Sequence, residues 1–492
     1  MKKLNSILEG IQYSGKADNR LIESISYDSR KIKNKSLFIA VNGFKNDGHN
    51  YIDSAIKSGA VAVLADINFN KEYSVPLLKV KNTRKAMSRI AANFFNDCSL
   101  NIKITGITGT NGKTTTAQLI NHILKTNEYS TSVLGTLGFE GPGGILNTGF
   151  TTPESLELQH IFQTLQQGGV THLNMEISSH ALSLNRVDDV DVDIAVFTNL
   201  TEEHLDFHKT MNNYFKSKLK LFQNLSSNKT AIINNDDKHS KQIINKTSAK
   251  ILTYGFSCDS DIFPTKVKMS LFGSEFLINY KNQILKVKTN LIGDHNILNI
   301  LASILVCDNL SLKLEEIVSS INTLKLVPGR FESYKTKNNG VVIIDYAHTP
   351  DAFDKILSLI KKIDPNRKII SLFGCGGNRD KHKRPVMAKI SEKYSDKIII
   401  TDDNPRYESS DKIINEIISG FKYHKYEIIK NRKKAIEKLI NNLQKDDTLL
   451  ILGKGIENYQ IIENKRIYHN DIETVKSLIW ELKLKKKNYS KI

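Results

Sequence analysis

A chain of 492 residues, 40% hydrophobic and with only 9 prolines, is too long for one core and too apolar for a disordered or fibrous protein. At about 100–200 residues per domain it predicts two to four globular units. The net charge of +18 raises a nucleic-acid or membrane-surface partner, but the lysines are dispersed rather than gathered with aromatics. They read as solvated basic faces suited to small anionic substrates.

The four cysteines, Cys98, Cys258, Cys307 and Cys375, are scattered without a CxxC pair. That argues against a disulfide framework or zinc site and fits a reducing cytoplasm. The opening "MKKLNSILEGIQ" is a poor signal peptide, and no apolar run approaches the roughly 20 residues of a membrane span.

In chain order, the first block runs to about Leu100. "SLFIAV", "AVAVLAD" and "PLLKV" read as strands and "KNTRKAMSRIAANFF" as a helix. A second block opens at "IKITGITGTNGKTTT", an apolar strand entering a Gly turn and a helix. A third opens near "LVPGRFESYK", after which "GVVIIDY" starts a further alternation of strands and helices. The expected fold class is therefore α/β with mostly parallel sheets, divided as 1–99, 100–327 and 328–492. Polar clusters repeatedly follow the apolar runs: "GTNGKTT", "EISSH", "NLTEEH", then "DYAHTPD", "GCGGNRD", "DDNPR" and "GKGIE". Open α/β sheets bind ligands at the carboxyl ends of their strands, so these clusters mark two functional rims.

"GTNGKTT" covers Gly109, Thr110, Asn111, Gly112, Lys113, Thr114 and Thr115. Its strand–loop–helix setting is that of a phosphate loop. Glycines let backbone N–H groups face phosphate oxygens, Lys113 supplies a cation, and Thr114 offers a hydroxyl to Mg²⁺. Ile107 stands where the standard pattern has its first Gly, so the loop is a variant.

Glu176 ends the strand "THLNMEI", where a carboxylate could reach the same metal. His204 is either a structural imidazole or an unusual ligand, because Mg²⁺ prefers oxygen. Lys218 shares a helical face with Tyr214, Leu221, Phe222 and Leu225, whereas Lys216 and Lys220 point elsewhere. A lysine in an apolar stripe must snorkel, pair or change its chemistry, and a neutral amine can take up CO₂ as a carbamate. "DNPR", Asp403–Arg406, is either a strand end with a solvated Arg or a turn holding an Arg for a carboxylate.

Together these motifs resemble the Mur ligases, the ATP-dependent amino-acid ligases of bacterial cell-wall synthesis, over nearly the whole chain. The resemblance implies three domains: a small N-terminal α/β UDP-binding domain, a central P-loop-type ATPase domain, and a C-terminal Rossmann-like domain. It implies ATP as co-substrate, Mg²⁺ as cofactor, and Lys113, Glu176, His204 and carbamylated Lys218 as reaction-centre residues, with Thr114, Glu176, His204 and the carbamate on metal. "DHNILN" brings Asn296 and Asn299, "PGRF" brings Arg330, and "DYAHTPD" brings Asp345 and His348; Asn296, Arg330, Asp345 and His348 fall to the nucleotide.

Further stretches resemble the member that adds meso-diaminopimelate. Tyr27 and Ser29 in "YDSRKIKNKSLFIAVNGFKNDGH", with Thr151, Thr152, Ser178 and Arg186, would contact UDP-N-acetylmuramoyl-L-alanyl-D-glutamate. Arg379, Asp403, Asn404, Pro405, Arg406, Gly453 and Glu457 would contact diaminopimelate. Leu184, Phe150 and Phe44–Asn46 depart from that member's pattern.

The implied reaction phosphorylates the D-glutamate γ-carboxylate, and the amine then attacks the acyl phosphate. Because Asp345 and His348 belong to the third block, the implied reaction centre needs two domains to close. The implied setting is cytoplasmic, for a monomer in cell-wall precursor synthesis, with links to cell shape and division and with neither nucleic acid nor membrane insertion. The rivals are an L-lysine-adding Mur ligase, a folylpolyglutamate synthetase-like ligase, a P-loop nucleic-acid binder and a catalytically dead binding module.

Overall fold

The structure is a computed structural model that describes the chain apart from residues 44–45, 142–143, 147–148, 325–328, 330, 424 and 490–492; for 145 and 481–489 it describes backbone only. Arg330, and Phe44 and Lys45 of the Phe44–Asn46 stretch, therefore lie outside the described residues. The chain forms two compact units. Unit 1 comprises Met1–Thr265, Leu277–Val287 and His295–Ile321; unit 2 comprises Lys266–Phe276, Lys288–Asp294 and Asn322–Ile492.

Unit 1 begins with a four-stranded parallel sheet, β1 (Ser24–Ser26), β2 (Ser36–Ile39), β3 (Ala60–Asp66) and β4 (Leu77–Val80), paired in that order. Helix α1 (Thr83–Phe95) follows. Asn82 caps its start by accepting from the Lys85 N–H, and Asn96, with φ of 63°, ends it in the left-handed region that Asn tolerates.

The larger sheet is built on β5 (Lys103–Thr108), β6 (Thr131–Gly135), β7 (Gly138–Gly141), β8 (Gly144–Leu146), β9 (His172–Glu176), β10 (Ile194–Phe197), β11 (Thr230–Asn234) and β12 (Lys250–Tyr254). Its order is β8-β7-β6-β9-β5-β10-β11-β12. β6, β9, β5, β10, β11 and β12 run parallel, and β7 and β8 turn back antiparallel. Strands β13 (Ile262–Ser270), β14 (Gly273–Tyr280) and β15 (Gln283–Thr289) continue the order, their residues divided between the units.

In unit 1, helices α2 (Lys113–Thr126), α3 (Ser155–Gln167), α4 (Ser179–Ser183), α5 (Met211–Gln223) and α6 (Asp294–Asn309, from His295 on) accompany this sheet. One core under it joins Leu158, Phe162 and Leu165 of α3 to Leu173 and Met175 of β9 and Phe197 of β10.

Unit 2 holds a six-stranded sheet: β16 (Glu332–Lys335), β17 (Val341–Asp345), β18 (Lys368–Phe373), β19 (Lys397–Ile400), β20 (Tyr426–Ile428) and β21 (Asp447–Leu452). The order is β16-β17-β21-β18-β19-β20, parallel except for the edge strand β16. All five residues of β17 are buried, which is why a parallel strand covered on both faces reads as the unbroken run "VVIID". Helices α7 (Pro350–Ile363), α8 (Lys383–Tyr394), α9 (Ser410–Ile418), α10 (Arg432–Asn442) and α11 (Asp471–Tyr489) surround it. A hairpin, β22 (Tyr459–Ile462) with β23 (Lys465–Tyr468), leaves its rim. No helix among the described residues is long and apolar enough to cross a membrane.

Candidate active site

The loop after β5 turns through Gly112, whose φ of +89° makes it the left-handed cap of α2. A Cβ there would fall 2.5 Å from Asn299 Oδ1. Asn299 in turn accepts from the Thr116 hydroxyl at 3.3 Å and donates to Asn296 Oδ1 at 3.2 Å, so α6 braces the loop from behind. In front, Thr110 N–H donates to the Asn199 carbonyl and Asn111 N–H to Asn199 Oδ1, both at 2.9 Å. Thr198 Oγ1 donates to the Asn111 carbonyl at 2.6 Å. Asn199 opens the cluster "NLTEEH" that follows an apolar run, whereas Thr198, the residue before it and just beyond β10, was not singled out by the sequence.

Lys113 Nζ donates to the carbonyls of Gly109 at 2.9 Å and Thr110 at 2.8 Å. Thr114 Oγ1 donates to Glu176 Oε1 at 2.9 Å, and Thr115 follows in the first turn of α2. Glu176 is 1% exposed, and it also accepts from Thr136 N–H at 2.9 Å and Thr136 Oγ1 at 3.1 Å. A hydroxyl and a carboxylate side by side at a phosphate loop form a hard oxygen donor pair of the kind Mg²⁺ takes. Among the described residues no three His, Cys, Asp or Glu side chains assemble into a metal-ligand group.

Lys218, on α5, is 1% exposed and does not snorkel. Its Nζ donates to the Gly109 carbonyl at 2.8 Å and lies 4.6 Å from the centre of the Tyr214 ring. Lys113 donates to the same oxygen. Burial, and then the Lys113 ammonium, push the Lys218 amine well below its usual range. Lys216 and Lys220 are exposed.

His204 caps the short helix Leu205–His208 with φ of 58°. Its ring lies 4.9 Å from that of His180 and 6.0 Å from that of Tyr214. Desolvation, opposed by Glu203 and reinforced by Lys113 and Lys218, holds the imidazole below its usual value. His208 is pushed down to about 4, first by burial and then by His180 and His204. Its ring nitrogen meets Ser179 Oγ at 2.9 Å.

The residues assigned to the nucleotide-sugar peptide fall in two groups. Thr152 Oγ1 donates to the Glu176 carbonyl at 2.8 Å and accepts from Ser178 N–H at 3.0 Å. Arg186 donates to the Thr152 carbonyl at 2.9 Å and pairs with Glu154 at 2.8 Å. Thr151 Oγ1 lies 3.2 Å from Thr136 Oγ1, and Ser178 Oγ caps α4. Phe150 lies under the Arg186 guanidinium, 5.1 Å away, and Leu184 closes α4.

Tyr27 instead donates to Glu157 on α3 at 2.8 Å. Burial, and then the Glu157 charge, push its phenol up. Ser29 opens the 3₁₀ turn Ser29–Lys31.

In unit 2, Asp345 ends β17 and accepts from Phe331 and Ala347 N–H, both at 2.7 Å. His348 Nδ1 meets the Tyr346 carbonyl at 2.8 Å.

The turn Asp403–Arg406 joins the loop after β21. Arg406, with φ of 53°, donates from Nη1 to the Gly377 carbonyl at 2.9 Å. A Cβ on Gly376 would meet Arg406 Nη1 at 2.8 Å and Arg379 Cγ at 3.7 Å, so both arginines flank that glycine. Arg379 itself is exposed. Asn404 Nδ2 donates to Glu457 Oε2 at 3.0 Å. Pro405 leads into Arg406, whose N–H and carbonyl bond to Ile461 and Glu463 of the hairpin at 2.9 and 2.7 Å. Gly453, φ of 110°, brings its backbone against Asp403: a Cβ there would lie 2.9 Å from Oδ2.

The sequence reading missed Lys454, between Gly453 and Glu457, which is fully buried here. It also missed Gln460, whose Nε2 donates to the Asp402 and Asp403 carbonyls at 3.1 and 2.9 Å.

Comparison with known proteins finds similar sequences and a similar fold elsewhere. Residues 107–307 match the family profile "Mur ligase middle domain", 329–455 match "Mur ligase, glutamate ligase domain" and 21–95 match "Mur ligase family, catalytic domain". The chain is 39% identical over 484 residues to UDP-N-acetylmuramoyl-L-alanyl-D-glutamate--2,6-diaminopimelate ligase 1 of Clostridium acetobutylicum, covering 98% of this chain and 100% of that protein. It is 40% identical over 482 residues to the ligase of the same name, without the numeral, from Caldanaerobacter subterraneus subsp. tengcongensis, covering 97% and 99%. A solved structure of a UDP-N-acetylmuramoyl-L-alanyl-D-glutamate--2,6-diaminopimelate ligase superposes with a TM-score of 0.73 at 29% identity, covering 97% of this chain and 99% of that one.

Proposed function

The chain belongs to the Mur ligase family, and from that premise we propose that it joins meso-diaminopimelate to the D-glutamate γ-carboxylate of UDP-N-acetylmuramoyl-L-alanyl-D-glutamate, with ATP as co-substrate. The observation that carries the reading is identity near 40% over essentially the full length of relatives so named. The paired arginines at Gly376 fit an amino acid with a second carboxylate to hold.

A carboxylate is a poor electrophile. One of its oxygens attacks the γ-phosphorus of ATP and ADP leaves. The amine nitrogen then attacks the acyl carbon, phosphate leaves, and the nitrogen sheds a proton to give the amide. Both steps gather negative charge, so positioning and fixed positive groups do most of the work. Gly109–Thr115 turn backbone N–H groups and Lys113 toward the phosphates, with Asn296, Arg330, Asp345 and His348 on the nucleotide. Thr114 and Glu176 would hold Mg²⁺, which supplies charge neutralisation there when bound.

Lys218 enters as a carbamate: its neutral amine adds CO₂ and releases a proton, and the new carboxylate and His204 would help to hold Mg²⁺ when it is bound. The burial of the amine and the cation beside it support this step. Residues 1–99 with Thr151, Thr152, Ser178 and Arg186 take the nucleotide-sugar peptide, 100–327 the ATP, and 328–492 the amino acid through Arg379, Arg406 and Glu457.

The test is phosphate release with the UDP-muramoyl dipeptide, ATP, Mg²⁺ and a panel of amino acids. Release should depend on meso-diaminopimelate and be weak with lysine. Equal or stronger release with lysine would replace the reading with a lysine-adding ligase.

A further inference from the structure

Under the Asp403–Arg406 turn, behind Glu457, lie buried charges that have no part in the steps above: Lys454, Arg432 and Asp471. Lys454 is 0% exposed. Its Nζ lies 3.0 Å from Glu457 Oε2, 3.2 Å from Asn404 Oδ1 and 3.9 Å from Asp403 Oδ1. Asn404 Nδ2 donates to the same Glu457 Oε2 at 3.0 Å, and Asn404 Oδ1 also accepts from Ile461 N–H at 2.9 Å. Oε2 of Glu457 thus takes two bonds from within the chain. Oε1 takes none among the described residues, on a side chain that remains 23% exposed.

Below this trio Arg432, 1% exposed, pairs with Asp471 at 2.7 Å, and its charge acts on Asp403 and Glu457. Three carboxylates (Asp403, Glu457 and Asp471) face two cations, Lys454 and Arg432. His469 Nε2 also meets Asp471 Oδ1 at 2.8 Å, and Glu457 is the most exposed of the three carboxylates, the outlet of the group toward solvent. A buried ammonium has to be paired, so Lys454 cannot leave Glu457 without a large cost. The backbone is shaped for this: Gly453 and Gly455 have φ of 110° and 52°. A Cβ on either would strike Asp403 Oδ2 at 2.9 Å or Tyr346 Cβ at 2.8 Å.

We infer that Lys454 is a positioning residue for amino-acid recognition: with Asn404 it locks Glu457 Oε2 inward so that Oε1 faces an ammonium group of the incoming amino acid. This rests on the proposed function, and it deepens that reading by adding a specificity-determining group that touches no substrate. It acts on the amino acid alone, because none of its partners belongs to the phosphate loop.

The experiment is a double-mutant cycle on the full chain, Lys454→Met and Glu457→Gln singly and together, by phosphate-release kinetics with each substrate varied in turn and with thermal melting alongside. Lys454→Met should raise KM for meso-diaminopimelate about tenfold or more while kcat and the KM for ATP stay within about twofold. In the Glu457→Gln background the same change should add less than about twofold, because the group it positions is gone. Additive effects, a parallel rise in all three KM values, or unchanged kinetics overturn the proposal. Lys454→Gln keeps a donor and serves if the methionine variant does not fold; failure of both to fold makes the lysine a core element and also overturns it. A wild-type protein without diaminopimelate-dependent turnover would sink the proposed function instead.

Discussion

Two lysines donate to one carbonyl oxygen, that of Gly109. Two ammoniums so close repel, and one of them, Lys218, has no water to spread its charge into. Both effects push the amine down toward its neutral form, the form the proposed carbamate requires. Lys218→Ala should lose most activity, short carboxylates should restore part of it, and Lys216→Ala should lose little. Full activity in Lys218→Ala, measured by phosphate release, would leave the carbamate without a role. Sequence periodicity already set Lys218 apart from Lys216 and Lys220. It could not give the shared oxygen, which depends on how α5 packs against the loop after β5.

At Arg406 the sequence posed a choice between a solvated turn and a held carboxylate. The structure gives the Arg a left-handed backbone, hairpin partners on both backbone groups and guanidinium bonds to the Gly377 and Asn404 carbonyls. Arg406→Ala should raise KM for diaminopimelate strongly and leave the KM for ATP unchanged. A lost charge partner in a desolvated site is worth about 2–5 kcal/mol. The product from an equimolar lysine–diaminopimelate mixture, read by mass spectrometry, checks it: equal incorporation by the wild type would return Arg406 to the solvated-turn reading.

Among elements, the unit formed by β5, the phosphate loop and α2 works because a third element, α6, closes against it. Gly112 needs a positive φ, which costs an L side chain roughly 1–2 kcal/mol, and its missing Cβ leaves room for Asn299. Gly112→Ala should therefore push Asn299 away and raise KM for ATP at least tenfold, with the melting temperature lowered by only a few degrees. An unchanged KM for ATP would show that the brace does not shape the loop.

The strand–helix alternation around this unit was legible because buried parallel strands such as β5, β17 and β21 read as apolar runs ending in polar clusters. Strands β7, β8 and β13–β15 were not. "GFEG" and "GIL" are too short and Gly-rich for a pattern, and β13 and β15 are largely half-exposed or exposed, so none of β13–β15 makes the unbroken apolar run of a buried parallel strand. The hairpin β22–β23 escaped too, because "YQII" and "KRIY" carry little burial of their own. Its role comes from pairing with the turn at Arg406. The brace by Asn299 was half legible: the resemblance named the residue, but only the packing of α6 shows what it holds.

For the whole molecule, acid is the condition that should separate its charge pairs. Arg384 is 0% exposed and pairs with Glu408 at 3.0 Å, which brings the Glu408 carboxyl down to about 2. Asp471 is held lower still, against burial, by Arg432 and His469. The sign follows from these depressed values. The unfolded chain binds protons near the ordinary carboxylate range of about 4, and the folded chain only near 2 or below. Stability from these pairs is thus fully present above about pH 4–5 and drains away as pH falls toward 2.

Acid also adds positive charge to a chain already at +18, so self-repulsion pulls the same way but is screened by salt. The urea midpoint should be flat from pH 8 to 5 and fall steeply below 4, and added salt should recover only part of the fall. Glu408→Gln separates the two causes: it should lower the midpoint at pH 7 and flatten the drop between pH 4 and 2, while leaving its salt-sensitive part. A variant that follows the wild-type acid limb would mean that net charge alone, and not the buried Arg384 pair, governs acid unfolding.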